Sequence, residues 1–410
     1  MKIRLRGLLQ GDGAIWTIYI ALCLVSLVEV YSATSSLSYK SGDYLAPIMS
    51  HAGYLVLGFL ITWFFHNIPC RYFRAMPLPL ILLSIIFLLL TYVIGSSVNE
   101  TTRTIPVFGF NLQPSEFAKI GVISVTALVL SNSQREKSAA PNTMKAILAF
   151  VSGPIVLIAP ENLSTAVILG GVVVMMMIIG RVKAIQILKL IGVCAAVVIG
   201  VALLVKAMPE QAVRQNKLLH RVYVWESRLT ETPDEKTDDA TFLQDHRQEA
   251  MANIAIASSN GIGKFPGNSE QRDQLPQAYS DFIFAIIIEE TGIWGALFVI
   301  ALYFWLLVRA GRVAGRCERF FPRFLIMGSA LMIVTQAVVN MSVAVGLGPI
   351  TGQPLPMISR GGNSILVTSV FFGIMLSVSR FARKQPSAEQ EAEAKPQPAE
   401  KEMQKANGIS

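Results

Sequence analysis

Charge is what this sequence is shortest of. Only 15% of its 410 residues are charged, against about a quarter in soluble domains, while 52% are hydrophobic and the mean hydropathy is +0.51. That excludes an ordinary water-soluble globule and indicates an integral membrane protein. Cysteine is scarce too: Cys23, Cys70, Cys194 and Cys317 fall in apolar runs or short basic loops with no paired spacing, so neither a disulfide framework nor a zinc site is indicated. His51, His66, His220 and His246 show no ligand spacing, and no metal site is assigned. No stripe of basic and aromatic residues is present, so the net charge of +8 is not read as a nucleic-acid footprint.

Long apolar runs are what the chain has. Taking ~20 apolar residues as one crossing, spans are expected near 14–33, 51–68, 78–95, 117–131, 143–160, 163–180, 190–208, 282–308, 324–345 and 363–380. The first run follows Lys2, Arg4 and Arg6 but exceeds the ~7–15 apolar residues of a signal-peptide core, so a retained span is expected. The fold class is therefore all-α, a polytopic membrane protein with ten transmembrane helices.

Basic residues orient it, because Lys and Arg favour cytoplasmic loops. Loops after even spans hold Arg71 and Arg74; Arg135, Lys137 and Lys145; Arg181, Lys183 and Lys189; and Arg309, Arg312, Arg316, Arg319 and Arg323. Both termini are placed in the cytoplasm, with 1–13 a short leading segment, 14–383 the ten-helix domain and 384–410 a disordered tail rich in Gln, Glu, Ala, Pro and Lys. Residues 209–280 form the one large extracytoplasmic loop, between helices 7 and 8, since a loop above ~60 residues crosses with little regard to charge. Within it, 230–241 is acidic and expected to hang free. Residues 248–256 carry apolar side chains at helical spacing and stop at Asn260-Gly261, which reads as a short capped helix on the membrane surface. The Gly261–Gly267 segment reads as turn chemistry, lacking the spacing of a nucleotide loop.

That loop ends in Gln274-Leu-Pro-Gln-Ala-Tyr-Ser-Asp281, and Glu289 and Glu290 follow eight and nine residues on, roughly 12 Å deeper along a helix. Ionisable groups at such depth usually face the protein interior or a wet cavity. The structural alternative is that Ser280 or Asp281 caps the following helix. Span four opens with Gln113-Pro114-Ser115-Glu116-Phe-Ala-Lys119, where Glu116 and Lys119 share one helix face. A helix start accounts for Pro114 and Glu116 but not for a cation one turn into a span. Arg103, and Glu161 with Asn162, lie in other outer loops and alone are most often solvated. The last outer loop, 346–364, includes Pro354, Pro356, Ser359, Arg360, Gly361 and Gly362; its irregular backbone with free N–H groups suits anion or phosphate contacts.

Together, Gln113-Pro-Ser-Glu-Phe-Ala-Lys119, Pro276-Gln-Ala-Tyr-Ser-Asp-Phe-Ile-Phe284 with Glu289-Glu290-Thr-Gly292, and Pro354-Leu-Pro-Met-Ile-Ser-Arg-Gly-Gly-Asn-Ser364 resemble the SEDS family of shape, elongation, division and sporulation proteins, which includes FtsW, RodA and SpoVE. The resemblance covers about residues 14–383. It implies a peptidoglycan glycosyltransferase that polymerises lipid II, the undecaprenyl-pyrophosphate-linked disaccharide peptide, beside a class B penicillin-binding protein and other division-complex membrane proteins. The family's essential aspartate falls on Asp281, and its Glu and Lys after Gln-Pro fall on Glu116 and Lys119. Three departures stand out: Arg103-Thr104 replaces Arg-Trp, Glu161-Asn162-Leu-Ser-Thr165 replaces Pro-Asp-Leu-Gly-Thr, and Ser359-Arg360-Gly-Gly-Asn363-Ser364 replaces Ser-Tyr-Gly-Gly-Ser-Ser.

The implied chemistry needs a base to take a proton from a sugar hydroxyl, worth ~10²–10⁴-fold, and cationic or N–H support for the leaving pyrophosphate. Asp281 is the expected catalytic base. Lys119, Arg103 and Arg360 are the available cations, with Glu116, Glu161 and Ser359 as further substrate contacts. Gln113, Pro114, Glu289, Glu290, Pro356, Gly361 and Gly362 are expected to support the site. A divalent ion, Mg²⁺ or Mn²⁺, could assist, although the sequence shows no cage for one. The expected location is the bacterial inner membrane, at the division septum. The competing readings are a lipid II flippase or transporter, a RodA-like elongation polymerase, and a scaffold that recruits division enzymes.

Overall fold

A computed structural model describes residues 10–33, 46–94, 96–98, 101–107, 110–136, 138–207, 240–275 and 278–381. The segments 1–9 and 382–410, the acidic stretch 230–239, and Pro276 and Gln277 lie outside the described residues, as does the side chain of Arg103.

Helices dominate. They are α1 (Gly13–Ala33), α2 (Ala46–Asn67), α3 (Pro77–Ile94), α4 (Pro114–Asn132), α5 (Thr143–Ile158), α6 (Leu163–Ile179), α7 (Ala184–Ala207), α8 (Ala240–Ser258), α9 (Ile283–Arg316), α10 (Phe320–Ala344) and α11 (Gly362–Phe381). Seven of the helices are long and apolar enough to cross a membrane, and α3, α5 and α6 are apolar but shorter. Each expected span thus coincides with a helix, because an uninterrupted apolar run can satisfy its backbone in lipid only by hydrogen-bonding within itself.

Three corrections follow. The chain is not all-α: β1 (Ser96–Val98), β2 (Thr101–Val107) and β3 (Phe110–Leu112) form an antiparallel sheet in the order β1-β2-β3. Its Thr, Val and Ile content suits strands, and β2 packs against α3 and α4. Second, α9 runs to Arg316 rather than stopping near 308, and α7 begins at Ala184 rather than 190. Third, the short helix expected over 248–256 begins at Ala240. Its stop is where the sequence puts it, with Asn260 (φ 49) and Gly261 (φ 78) in left-handed backbone.

Packing is uneven. α4, α10 and α11 are largely buried, whereas α7 is exposed along most of its length. The central helices carry buried polar side chains, including Lys119, Gln336 and Asn340, and these mark where the interior is not simply a greasy core. At the opposite end of the bundle from the cavity described below, Asp12 caps α1 through the N–H groups of Ala14 and Ile15 and accepts from Arg309 Nε on α9 at 2.8 and 2.9 Å.

Candidate active site

The described parts of the connections that follow the third, fifth, seventh and ninth apolar helices meet at one end of the bundle. There a cavity of about 300 Å³ is lined by Thr104, Gln113, Glu116, Asn162, Ser280 and Asp281, and by Gly352–Pro354 and Gly361–Ser364 of the last loop. Four of the motifs singled out in the sequence therefore share one hollow, although they are far apart in the chain.

Asp281 sits on its wall in the turn before α9. The N-cap position of that helix is Phe282 and has no side-chain cap hydrogen bond, so neither Ser280 nor Asp281 is the cap that the alternative reading required. Ser280 Oγ donates to Asp281 Oδ1 at 2.9 Å. Across the hollow, a Cβ on Gly352 (φ +61) would stand 3.7 Å from Asp281 Oδ2, in ordinary contact; glycine there permits the left-handed turn that brings the loop beside the carboxylate.

Two buried amides on α10 tie the wall together, and sequence reasoning missed both. Asn340 Nδ2 donates to the backbone oxygens of Asp281 (2.9 Å) and Gln353 (2.7 Å). One turn earlier, Gln336 Nε2 donates to Pro354 O at 3.0 Å while its Oε1 accepts from Lys119 Nζ at 3.1 Å. Lys119 in turn pairs with Glu116 at 2.6 Å and is only 1% exposed. Glu116 lines the cavity; Lys119 stands behind it, inside the wall. The i, i+4 spacing of Gln336 and Asn340 on an apolar helix was the available signal, since an amide buried in such a helix must find a partner.

The other expected residues divide. Asn162 lines the cavity and caps α6 by accepting from Thr165 N at 3.0 Å, and Gln353 Nε2 donates to Thr165 Oγ1 at 2.9 Å. Glu161 is buried beside it but does not line the cavity. Ser359 is buried in the loop, accepting from Leu355 N at 2.7 Å and donating to Ser280 O at 2.5 Å, which makes it a loop fastener. The Arg360 guanidinium lies over the Tyr279 ring, 5.3 Å from its centroid, and Arg360 N donates to Tyr279 O at 2.9 Å. Gln113 and Gly361 and Gly362 line the hollow, Pro114 begins α4, and Pro356 O accepts from the Tyr303 hydroxyl at 2.5 Å. Arg103 belongs to β2.

Glu289 and Glu290 lie elsewhere, where residues 259–275 fold back onto α9. Lys264 N and Phe265 N donate to the Glu289 and Glu290 carbonyls at 2.9 and 2.7 Å. Those carbonyls are available because α9 breaks at Gly292 (φ 67, ψ −162), a conformation that belongs essentially to glycine. The Glu289 carboxylate accepts from Lys264 Nζ (3.1 Å), Ser269 Oγ (2.5 Å) and Glu270 N (3.1 Å). Glu289 is thus paired with a basic group. Among the described residues, no three His, Cys, Asp or Glu side chains gather as a metal cage.

Comparison with known proteins supplies the context. The chain matches the FtsW, RodA and SpoVE family, described as cell cycle proteins, over residues 13–384. It is 30% identical over 385 residues to a probable peptidoglycan glycosyltransferase FtsW of Geobacter metallireducens, spanning 92% of this chain and 97% of that one. A protein of the same description from Halomonas elongata is 30% identical, with 94% and 95% covered. Its fold is similar to a chain of a peptidoglycan synthase complex that coordinates polymerisation and crosslinking (TM-score 0.71, 21% identity, 92% of this chain and 99% of that chain). It is also similar to the rod shape determining protein RodA of Thermus thermophilus (TM-score 0.64, 21% identity, 92% and 100%).

Proposed function

This chain belongs to the FtsW, RodA and SpoVE family of cell cycle proteins and is a multi-pass peptidoglycan glycosyltransferase, and we propose that it polymerises lipid II with Asp281 as general base. The observation that carries this reading is the surroundings of Asp281: a carboxylate on a polar cavity wall, held by Asn340 through its backbone and approached closely by Gly352.

In the reaction, the 4-hydroxyl of the acceptor sugar gives its proton to the Asp281 carboxylate as its oxygen bonds to the anomeric carbon of the donor. The bond from that carbon to the lipid pyrophosphate breaks, and the electron pair leaves with the phosphate oxygen. Proton removal by a positioned base is worth ~10²–10⁴-fold. The N–H groups of Gly352, Gly361 and Gly362 on the cavity wall, with the Arg360 side chain of the same loop, are suited to the leaving anion. Lys119 acts through the wall, holding Glu116 and Gln336 in place. Asp281 and Glu116 are the cavity's carboxylates and Lys119 engages the latter, so the donor set does not fit a protein-held Mg²⁺ or Mn²⁺, and no step is routed through one.

Both reactants are lipid-anchored, so the cavity end of the bundle is assigned to the extracytoplasmic face, with ten spans and cytoplasmic termini as the charge pattern orients them. A class B penicillin-binding protein is the proposed partner and the division septum the proposed location, in keeping with relatives described as FtsW. The deciding experiment supplies lipid II to the purified protein with its transpeptidase. Wild type should make glycan chains and Asp281→Ala should not. Equal product from both would remove Asp281 from the chemistry, and scrambling of labelled lipid without product would replace polymerisation by transport.

A further inference from the structure

Where residues 259–275 fold back onto α9 they also meet the end of α1, which carries an acid that nothing in the proposed reaction uses. Glu29, near the end of α1, is 3% exposed, and its Oε2 is buried without a hydrogen-bond partner among the described residues; so is Oε2 of Glu290 on α9. The two come from different helices. Ser32, one turn beyond Glu29 and on the same face of α1, donates from its hydroxyl to Glu290 Oε1, which fastens the end of α1 to α9. Arg272 Nη1 donates to Ser32 O and Oγ at 3.3 Å each and to Gly267 O at 2.8 Å.

Among the described residues, the elements around this end of α1 present a small set of ionisable groups. α9 presents Glu289 and Glu290; the linker presents Lys264, Glu270, Arg272 and Asp273; α2 presents His51; and the last loop presents Arg360. Glu270 and Asp273 have side chains 75% and 56% exposed and are solvated. His51 Nε2 is engaged by Ser26 Oγ at 2.8 Å, one turn before Glu29, and Arg360 lies over Tyr279. What remains is Glu29, Glu289 and Glu290 against Lys264 and Arg272. Among the described residues the buried cluster is one positive charge short, and a carboxylate left uncompensated in such a place is neutralised rather than tolerated.

We propose that Glu29 and Glu290 hold a single proton between them, making this a buried proton site in which Glu29 is a neutral carboxylic acid and Ser32 and Arg272 support the charge on Glu290. A proton needs one oxygen, whereas Na⁺ or a divalent ion needs several and would meet the Arg272 guanidinium. The site fastens the linker that runs on to Asp281, so its proton ties that linker to α1 and α9. Loss of the proton as pH rises puts two like charges into one dry space and loosens the clamp. The inference is independent of the reaction in the cavity.

Infrared spectroscopy of the purified full-length protein in lipid nanodiscs, titrated from mildly acidic to alkaline pH, reads the carbonyl stretch of protonated carboxylic acids. Wild type should keep such a band at neutral pH, and Glu29→Gln should lose it. The thermal midpoint of wild type should fall as pH rises through the band's disappearance, and that fall should be absent in Glu29→Gln. No band in wild type at neutral pH, a band unchanged in Glu29→Gln, or a midpoint raised by Na⁺ or Mg²⁺ at fixed pH would each overturn the proposal. Glu29→Met provides a second check, since a neutral acid tolerates an apolar substitute. Failure of both neutral variants to accumulate, with normal accumulation of Glu29→Asp, would mean that the charge itself is required.

Discussion

Asp281 and Glu289 stand eight residues apart in one stretch of chain, and they end in opposite surroundings. Asp281 faces a polar hollow, with its backbone pinned and its carboxylate beside a glycine. Glu289 has no exposed surface and is enclosed by Lys264, Ser269 and the Glu270 N–H. Both are acids at the head of one helix, yet one borders an open cavity and the other holds the linker. Accessibility and partners, not residue type, separate the roles. The same contrast runs through the basic side chains: Lys119 is consumed by Glu116 and Gln336, while Arg360 stays at the edge of the last loop.

Substitutions can break or sharpen that contrast. The largest effect is expected on turnover at Asp281: Asp281→Ala should cut glycan synthesis ~10²–10⁴-fold with a thermal midpoint close to wild type. Gly292→Ala should act on the other region, because its Cβ would collide with the Gly261 carbonyl oxygen and its backbone angles exclude alanine; a loss of about 3 kcal/mol is expected in denaturant unfolding. Glu289→Gln should cost ~1–3 kcal/mol by the same measurement, since it leaves buried donors without their charged acceptor. If it instead reduced turnover at unchanged stability, the division between the two regions would fail.

Asn340→Ala joins the two themes, leaving the Asp281 and Gln353 carbonyls without their donor. Its stability cost should be about 1–2 kcal/mol, and steady-state assays should show kcat lowered with KM little changed, as expected for a residue that orients the proposed base. The smallest effect belongs to the far end of the bundle. Burial opposes the charge on Asp12, but the Arg309 guanidinium and the α1 N–H groups outweigh it and hold the carboxyl below its ordinary value. Its contribution is therefore complete above the ordinary carboxylate pKa and is lost as pH falls through the lowered one. Melting curves of wild type and Asp12→Asn should converge at the acid end.

The sequence by itself determined the apolar helices, the Asn260-Gly261 stop and the acids and loops worth watching. Those features are local: an apolar run of the right length has one way to satisfy its backbone in lipid, and Asn-Gly takes the left-handed turn almost anywhere. It did not disclose the three-stranded sheet, whose short β-branched strands carry a weak signal, nor the reach of α9 beyond 308. Only the tertiary structure decided which acid faces the cavity, that Lys119 stands behind Glu116, and that Gln336 and Asn340 bind backbone oxygens of distant loops. A buried amide must be satisfied, but the partner that satisfies it is set by which helices pack together, and that is written across the whole chain rather than at any one stretch.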